Sequence, residues 1–331
     1  MELMYNLYRI LSKREIIGLA KLLSLSVIMA VLDILGVASV MPFLALLSNP
    51  EFAIEQKHLN ALYTYVDSIY NIDINQFSLL FGVISFILIA LAALFKVIVI
   101  IIVNRSVERL RLSVSMRVLE GYLKKDYSFF LQKNTQDLSK TLLNEVDLFI
   151  GMVFRPIFNT ASYGIIFIAI SSFLIFIDPF MAVVAFIIMG MLYGTLFATL
   201  RKKFVNIGSK LAETNSERFQ VAGELLRGIK TIKVMKSEDI YLRRFKSATN
   251  KFADNQARYE TFNNIPNFLA EPLIFLTILA LVILPISFSG NTNAIDFTEV
   301  LPKLGVFAFA SYKLKPVMHN IYVGFTSLLF G

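Results

Sequence analysis

FSLLFGVISFILIALAALFKVIVIIIVNRSVERLRLSVSMRVL, residues 77–119, decides the architecture of this chain. Its first part, Phe77 to Val103, is apolar apart from Lys96, Ser78 and Ser85. That is longer than the roughly 20 apolar residues needed to cross a bilayer. Beyond it Arg105, Arg109, Arg111 and Arg117 alternate with Val107, Leu110, Val114 and Leu119 at helical steps. The spacing predicts one helix that crosses the membrane and runs on into water on a basic side.

Similar apolar stretches recur on both sides, giving spans at about 16–47, 77–103, 146–177, 180–200, 265–288 and 300–322. The expected fold is an all-α membrane protein with six transmembrane helices and long helical extensions. Hydrophobic residues make up 56% and charged residues 17% of the 331 positions, against about 45–50% and about 25% in soluble domains. Spans therefore consume most of the chain. The net charge of +8 follows the connectors between spans, so it is read as membrane topology and not as a nucleic-acid partner. With no Cys, thiol chemistry and cysteine metal sites are excluded. His58 and His319 lack ligand spacing and no Ser–His–Asp set can be assembled, so neither a metal site nor a catalytic residue is expected.

The connectors differ by side. Residues 201–261 hold fourteen Lys or Arg against seven Asp or Glu, with helical periodicity throughout. The opposite connectors carry Glu51, Glu55, Asp67, Asp73, Asp178, Asp296 and Glu299 with few bases. The positive-inside rule then sets both termini and both basic connectors in the cytoplasm, which suits a bacterial inner membrane protein. Residues 1–14, with Leu3, Leu7, Ile10 and Leu11 at helical spacing, read as an interfacial elbow helix. The remainder, 15–331, reads as one membrane domain. Leu59, Leu62, Tyr63, Val66 and Tyr70 predict an amphipathic helix on the outer face. Asp178–Pro179 predicts a tight turn joining spans three and four. Gly190 and Gly194 stand at the spacing that permits close helix contact.

This plan resembles the transmembrane domain of an ABC exporter, whose two cytoplasmic loops carry short coupling helices. The first candidate is Asp126–Lys133 in DYSFFLQKNTQ (126–136), before LSKTLLNEVDLFIGM (138–152). The second lies around Phe219–Thr231 in FQVAGELLRGIKTIKVMKSEDIYLRRF (219–245), and YKLKPVMHNI (312–321) is similar to the family's sixth span. VLDILGVASVMPF (31–43), the outer amphipathic segment, Lys96 and Lys313 look most like flippases of lipid-linked oligosaccharides in bacterial protein glycosylation. The resemblance implies that Asp126, Tyr127, Phe129, Phe130, Glu224, Arg227 and Gly228 couple the chain to an ATPase. It also implies a second copy or a related half-transporter as partner, and an ATP-binding domain or subunit that holds ATP and Mg. That domain is expected to be truncated or separate, because GELLRGIKT (223–231) lacks P-loop geometry: Ile229 intervenes before Lys230 and no strand precedes it.

Ionisable groups within spans are functional candidates, since insertion scales set their cost at about 2.5–3.5 kcal/mol each. Here they are Lys96, Lys313, Lys315, Asp33 and Glu271. Helix rise places Lys96, Lys313 and Glu271 in the cytoplasmic half and Asp33 further out. In one reading the lysines attract an anionic head group such as a pyrophosphate. In the other, Lys96 and Lys315 snorkel to the interface and Lys313 neutralises Glu271. The function expected is the membrane half of an ATP-driven exporter or flippase for a lipid-linked or amphipathic anion. A peptide or protein exporter is the alternative. An ATP-independent transporter or channel fits less well, because no pair of broken spans is found.

Overall fold

The computed structural model describes residues 11–48, 57–70, 73–133, 138–139, 141–289 and 297–330. Most of the expected elbow helix (1–10), the acidic stretch holding Glu51 and Glu55 (49–56) and the turn holding Asp296 (290–296) lie outside the described residues, as does the side chain of Glu299. The elements are α1 (Lys13–Ser48), α2 (Lys57–Tyr70), α3 (Ile74–Leu123), α4 (Tyr127–Gln132) and α5 (Thr141–Ile177). They continue as α6 (Pro179–Arg227), α7 (Ile229–Met235), α8 (Glu238–Ser289) and α9 (Phe297–Phe330).

Among the described residues, α1, α3, α5, α6 and α8 are long and apolar enough to cross a membrane. The sixth expected span, α9, does not meet that measure, because Lys303, Lys313, Lys315 and His319 dilute its apolar run. Its packing accounts for the polarity. Val306, Phe307, Ala310 and Val317 of α9 are buried in a core shared with Met29, Ala30 and Val37 of α1 and Ile166, Ile170 and Leu174 of α5. A helix wrapped by others can carry polar groups toward its neighbours, whereas one turned to lipid has to be apolar on that side. α3 is of the second kind, with Leu79, Phe86 and Leu94 each well over half exposed.

Capping residues set the bounds at the acidic end. Asp73 opens α3 with a capping box, its side chain accepting from Ile74 N–H while Gln76 accepts from the Asp73 N–H. Asp178 alone separates α5 from α6: it ends the first, accepts from Met181 N–H at 3.1 Å to start the second, and is followed by Pro179 at the first helical position. Lys303 of α9 lies 3.9 Å from the Asp178 carboxylate, so α9 begins at the same end of the bundle. The amphipathic α2 lays Tyr63 and Val66 on Leu46 and Phe77, with Tyr63 edge-on to Phe77 at 5.2 Å.

At the other, basic end α3, α6 and α8 project. α6 has 49 residues and α8 has 52. With about 20 residues in the bilayer, about 40 Å of each helix remains outside it. The two extensions pack along each other, tied by Arg244 to Glu224 at 2.8 Å and Lys251 to Glu217 at 3.2 Å. Arg117 of α3 meets Glu15 at the start of α1 at 3.3 Å, which puts the head of α1 at this same end.

Three local features depart from the sequence expectation. The lead-in to α5 is not plain α-helix: Thr141–Glu145 and Phe149–Phe154 are π-helical, the wider coil in which each N–H reaches five residues back. The second short helix is α7, Ile229–Met235, so most of the expected Phe219–Thr231 segment belongs to the end of α6. And Gly190 and Gly194 face open space within this chain, while Gly82, Gly305 and Gly324 receive close neighbours, Phe43 and Leu44 of α1 and Thr160 of α5 respectively.

Candidate functional site

The five ionisable residues singled out in the spans meet in one region. Asp33 of α1, Lys96 of α3 and Lys313 and Lys315 of α9 line a cleft of about 420 Å³, closed by Ala92, Asn267, Tyr312 and Pro316 among others. Glu271, about one turn along α8 from Asn267, stands beside it through its contact with Lys315.

The pairing differs from the sequence expectation. Lys313 donates to Asp33, not to Glu271, and Glu271 instead accepts from Lys315. Asp33 is therefore level with Lys313 and not further out. It sits about as many residues from Ser48 at the acidic end of α1 as Lys313 sits from Phe297 at that end of α9. The pairs are unequal. Asp33 and Lys313 are both largely buried, whereas Glu271 is 71% exposed beside a buried Lys315.

Lys96 has no hydrogen bond or ion pair among the described residues. It also lines a second, smaller cleft of about 190 Å³, with Ser26, Asn104, Asn159, Ser162 and Tyr163. The lysine thus lines both clefts. Three ammonium groups face two carboxylates, leaving a net positive charge in an apolar surround. An ammonium has three donors. Lys313 commits one to Asp33 and lies 5.8 Å from the centre of the Phe309 ring, a cation–π contact. Pro316 adds a further polar group, because it withholds the N–H that the Tyr312 carbonyl would accept from in an unbroken helix. The arrangement suits an anion held by mobile point charges.

Asn267 and Tyr312 were not among the sequence candidates. Asn267 carried a signal, being a polar residue next to Pro266 in an otherwise apolar run; Tyr312 opens the YKLKPVMHNI stretch already likened to the family's sixth span, but was not singled out within it.

At the basic end the expected coupling residues fall at two corners. α4 forms the first: Asp126 precedes it, Tyr127 is 76% exposed, and Phe129 turns inward against Tyr122 and Phe130. The second corner is Gly228, which ends α6 and begins α7, with Glu224 and Arg227 in the last turn of α6. Glu224 is engaged by Gln220 and Arg244. Arg227 folds back on the Gly223 carbonyl at 3.2 Å. After α7, Lys236 takes a left-handed conformation with φ 48°, reversing the chain into α8. The Glu238 N–H in the first turn of α8 holds that carboxyl below the usual carboxylate range, and Lys233 at 3.0 Å adds to the effect.

Long paired helices, two short cross-helices at the basic end and an apolar bundle with a charged centre define a type of membrane unit. The family model of the ABC transporter transmembrane region matches residues 16–309. The chain belongs to that family. In this ABC transmembrane region the match starts within the first turns of α1 and ends inside α9, so it covers all five apolar spans, the lysine cleft's α1, α3 and α8 walls, and both corners. Among the described residues no group of His, Asp and Glu is placed to hold a metal.

Proposed function

We propose that this chain is the membrane-spanning half of an ATP-driven exporter or flippase that moves an amphipathic, lipid-linked anion, of the glycolipid-precursor type, outward across a bacterial inner membrane. The observation that carries the reading is the lysine cleft: Lys96, Lys313 and Lys315 converge at mid-bundle and are only partly neutralised by Asp33 and Glu271. A peptide carrier would more naturally be lined with acidic groups, and here the only carboxylate on the cleft wall among the described residues is already engaged by Lys313.

In this reading both termini and the basic extensions are cytoplasmic. A second copy, or a related half-transporter, completes the pathway. An ATP-binding domain or subunit, which holds ATP and Mg, seats on α4 and on the α6–α7 corner through Asp126, Tyr127, Phe129, Phe130, Glu224, Arg227 and Gly228. Closure of the two ATP-binding units pushes those corners together. The long extensions transmit the motion to the cleft, which alternates between faces.

The test is a binding titration of the chain in lipid nanodiscs with fluorescent dodecyl phosphate and, separately, dodecyl phosphocholine. The anion should bind at least tenfold more tightly, and Lys96→Met with Lys313→Met should erase the difference. Equal affinity for the two head groups sinks the anionic reading.

A further inference from the structure

We propose that a groove at the basic end, between the head of α1 and the projecting part of α3, is a binding site for one anionic phospholipid of the surrounding bilayer. The groove has a volume of about 370 Å³ and is separate from the lysine cleft, with which it shares no residue. Arg14 and Arg109 stand at it, with Ser12 and Ser106, while Leu19 and Leu22 give it an apolar wall.

Its position fits a head group. The apolar run of α1 starts at Ile16 and that of α3 ends at Val103, so Arg14 and Arg109 lie just past the hydrocarbon edge. With 1.5 Å of rise per residue, Arg109 is about 9 Å beyond Val103. Leu19 and Leu22 lie inside that edge. One end of the groove is cationic and the other oily, the order in which a phospholipid presents phosphate and acyl chain. Basic pockets between helices on the basic side of a membrane bind acidic lipid head groups for this reason.

The charge there is uncommitted. Arg14 and Arg109 have no ion-pair partner among the described residues. Glu15, the carboxylate in the same groove, is already held by Arg117 and by the Ser12 N–H. The wall is also open. A Cβ built on Gly18 would meet nothing within 4 Å, so the missing side chain leaves room for an acyl chain. Bound there, the lipid bridges α1 and α3 beside the Glu15–Arg117 contact.

The experiment is a thermal-unfolding titration of the delipidated full chain in detergent with phosphatidylglycerol, phosphatidylcholine or inorganic phosphate, supported by native mass spectrometry. Phosphatidylglycerol should raise the melting temperature and leave one tightly held lipid; the other two should not. Gly18→Leu places a side chain in the groove from a Cβ position that meets no neighbour within 4 Å, and should remove the increment while leaving the lipid-free melting temperature unchanged or higher. Arg14→Gln and Arg109→Gln should each weaken phosphatidylglycerol about fivefold, the weight of one cationic residue near an anionic surface. An equal response to phosphatidylcholine overturns the charge recognition, and an equal response to inorganic phosphate overturns the lipid. If Gly18→Leu binds phosphatidylglycerol as the unsubstituted chain does, the groove is not the site. The floor and rim substitutions must agree, so a folding failure in one leaves the other to decide.

Discussion

Lys313 of α9 donates to Asp33 of α1, across 280 residues of sequence, and so ties the innermost helix of the bundle to the first. Both side chains are largely buried, at 17% and 11% exposed. Removing one partner strands the other's charge, a loss of about 3–5 kcal/mol in buried pairs. Replacing both by apolar groups of similar volume removes the stranded charge as well. Asp33→Asn should therefore lower the melting temperature sharply, while Asp33→Leu with Lys313→Met should recover most of it. The recovered double variant should still bind dodecyl phosphate poorly. Thermal unfolding and the nanodisc titration, run on the same three proteins, separate the pair's part in stability from its part in binding.

Gly324 offers a packing test. A Cβ there would collide with Thr160 Oγ1 and come within 3.3 Å of the Pro156 carbonyl. Gly324→Ala should cost about 1–3 kcal/mol, the usual range for overpacking. Adding Thr160→Ala should restore part of that and not all, because the Pro156 backbone cannot be trimmed. At Gly190, with nothing within 4 Å, Ala should instead stabilise α6 by about 0.5–1 kcal/mol. Chemical denaturation of the three variants in detergent checks the order.

The α7–α8 junction should respond to acid. The Glu238 carboxyl is held below its ordinary value of 4.5, first by its own backbone N–H and then by Lys233. A depressed carboxyl contributes stability that is present above the ordinary value and is lost as pH falls through the lowered one. Hydrogen-exchange protection factors across residues 233–240, taken relative to the intrinsic rate at each pH, should thus hold at pH 5 and drop as the pH falls further below 4.5. Lys233→Met should bring the NMR titration midpoint of Glu238 back toward the ordinary value.

Lys236 carries the positive φ of that same junction. A left-handed conformation costs an ordinary L-residue roughly 1–2 kcal/mol, and glycine escapes that cost. Lys236→Gly should accordingly slow exchange in α7. Lys236→Val, branched at Cβ, should speed it.

The parts legible in the sequence were those fixed by local chemistry. The continuous α3 followed from an apolar run that turns basic without a breaker, and the α5–α6 hairpin from Asp178–Pro179, where a cap and a proline coincide. α4 was bounded by Asp126 and Lys133 for the same reason. What escaped depends on neighbours. Which lysine meets which carboxylate is set by the rotation of α1, α8 and α9 about their axes, and residue spacing is silent on that. The π turns of α5 satisfy their backbone nearly as α turns do, so only packing selects them. The second short helix was expected around Phe219–Thr231, ahead of its place at Ile229–Met235, because LLRGIKTIKV keeps a helical pattern straight through Gly228.

The one-residue joint at Asp178 has a mechanical consequence. Consecutive Cα atoms are 3.8 Å apart, so the acidic ends of α5 and α6 cannot part, and every displacement between these two helices must be angular. α6 then pivots at Asp178, with its far end at Gly228. Over 49 residues its arm is about 73 Å, and a swing of about 5° moves the far end by about 6 Å. Small rotations inside the bilayer and large strokes at the basic end are one movement, geared by the length of a single helix.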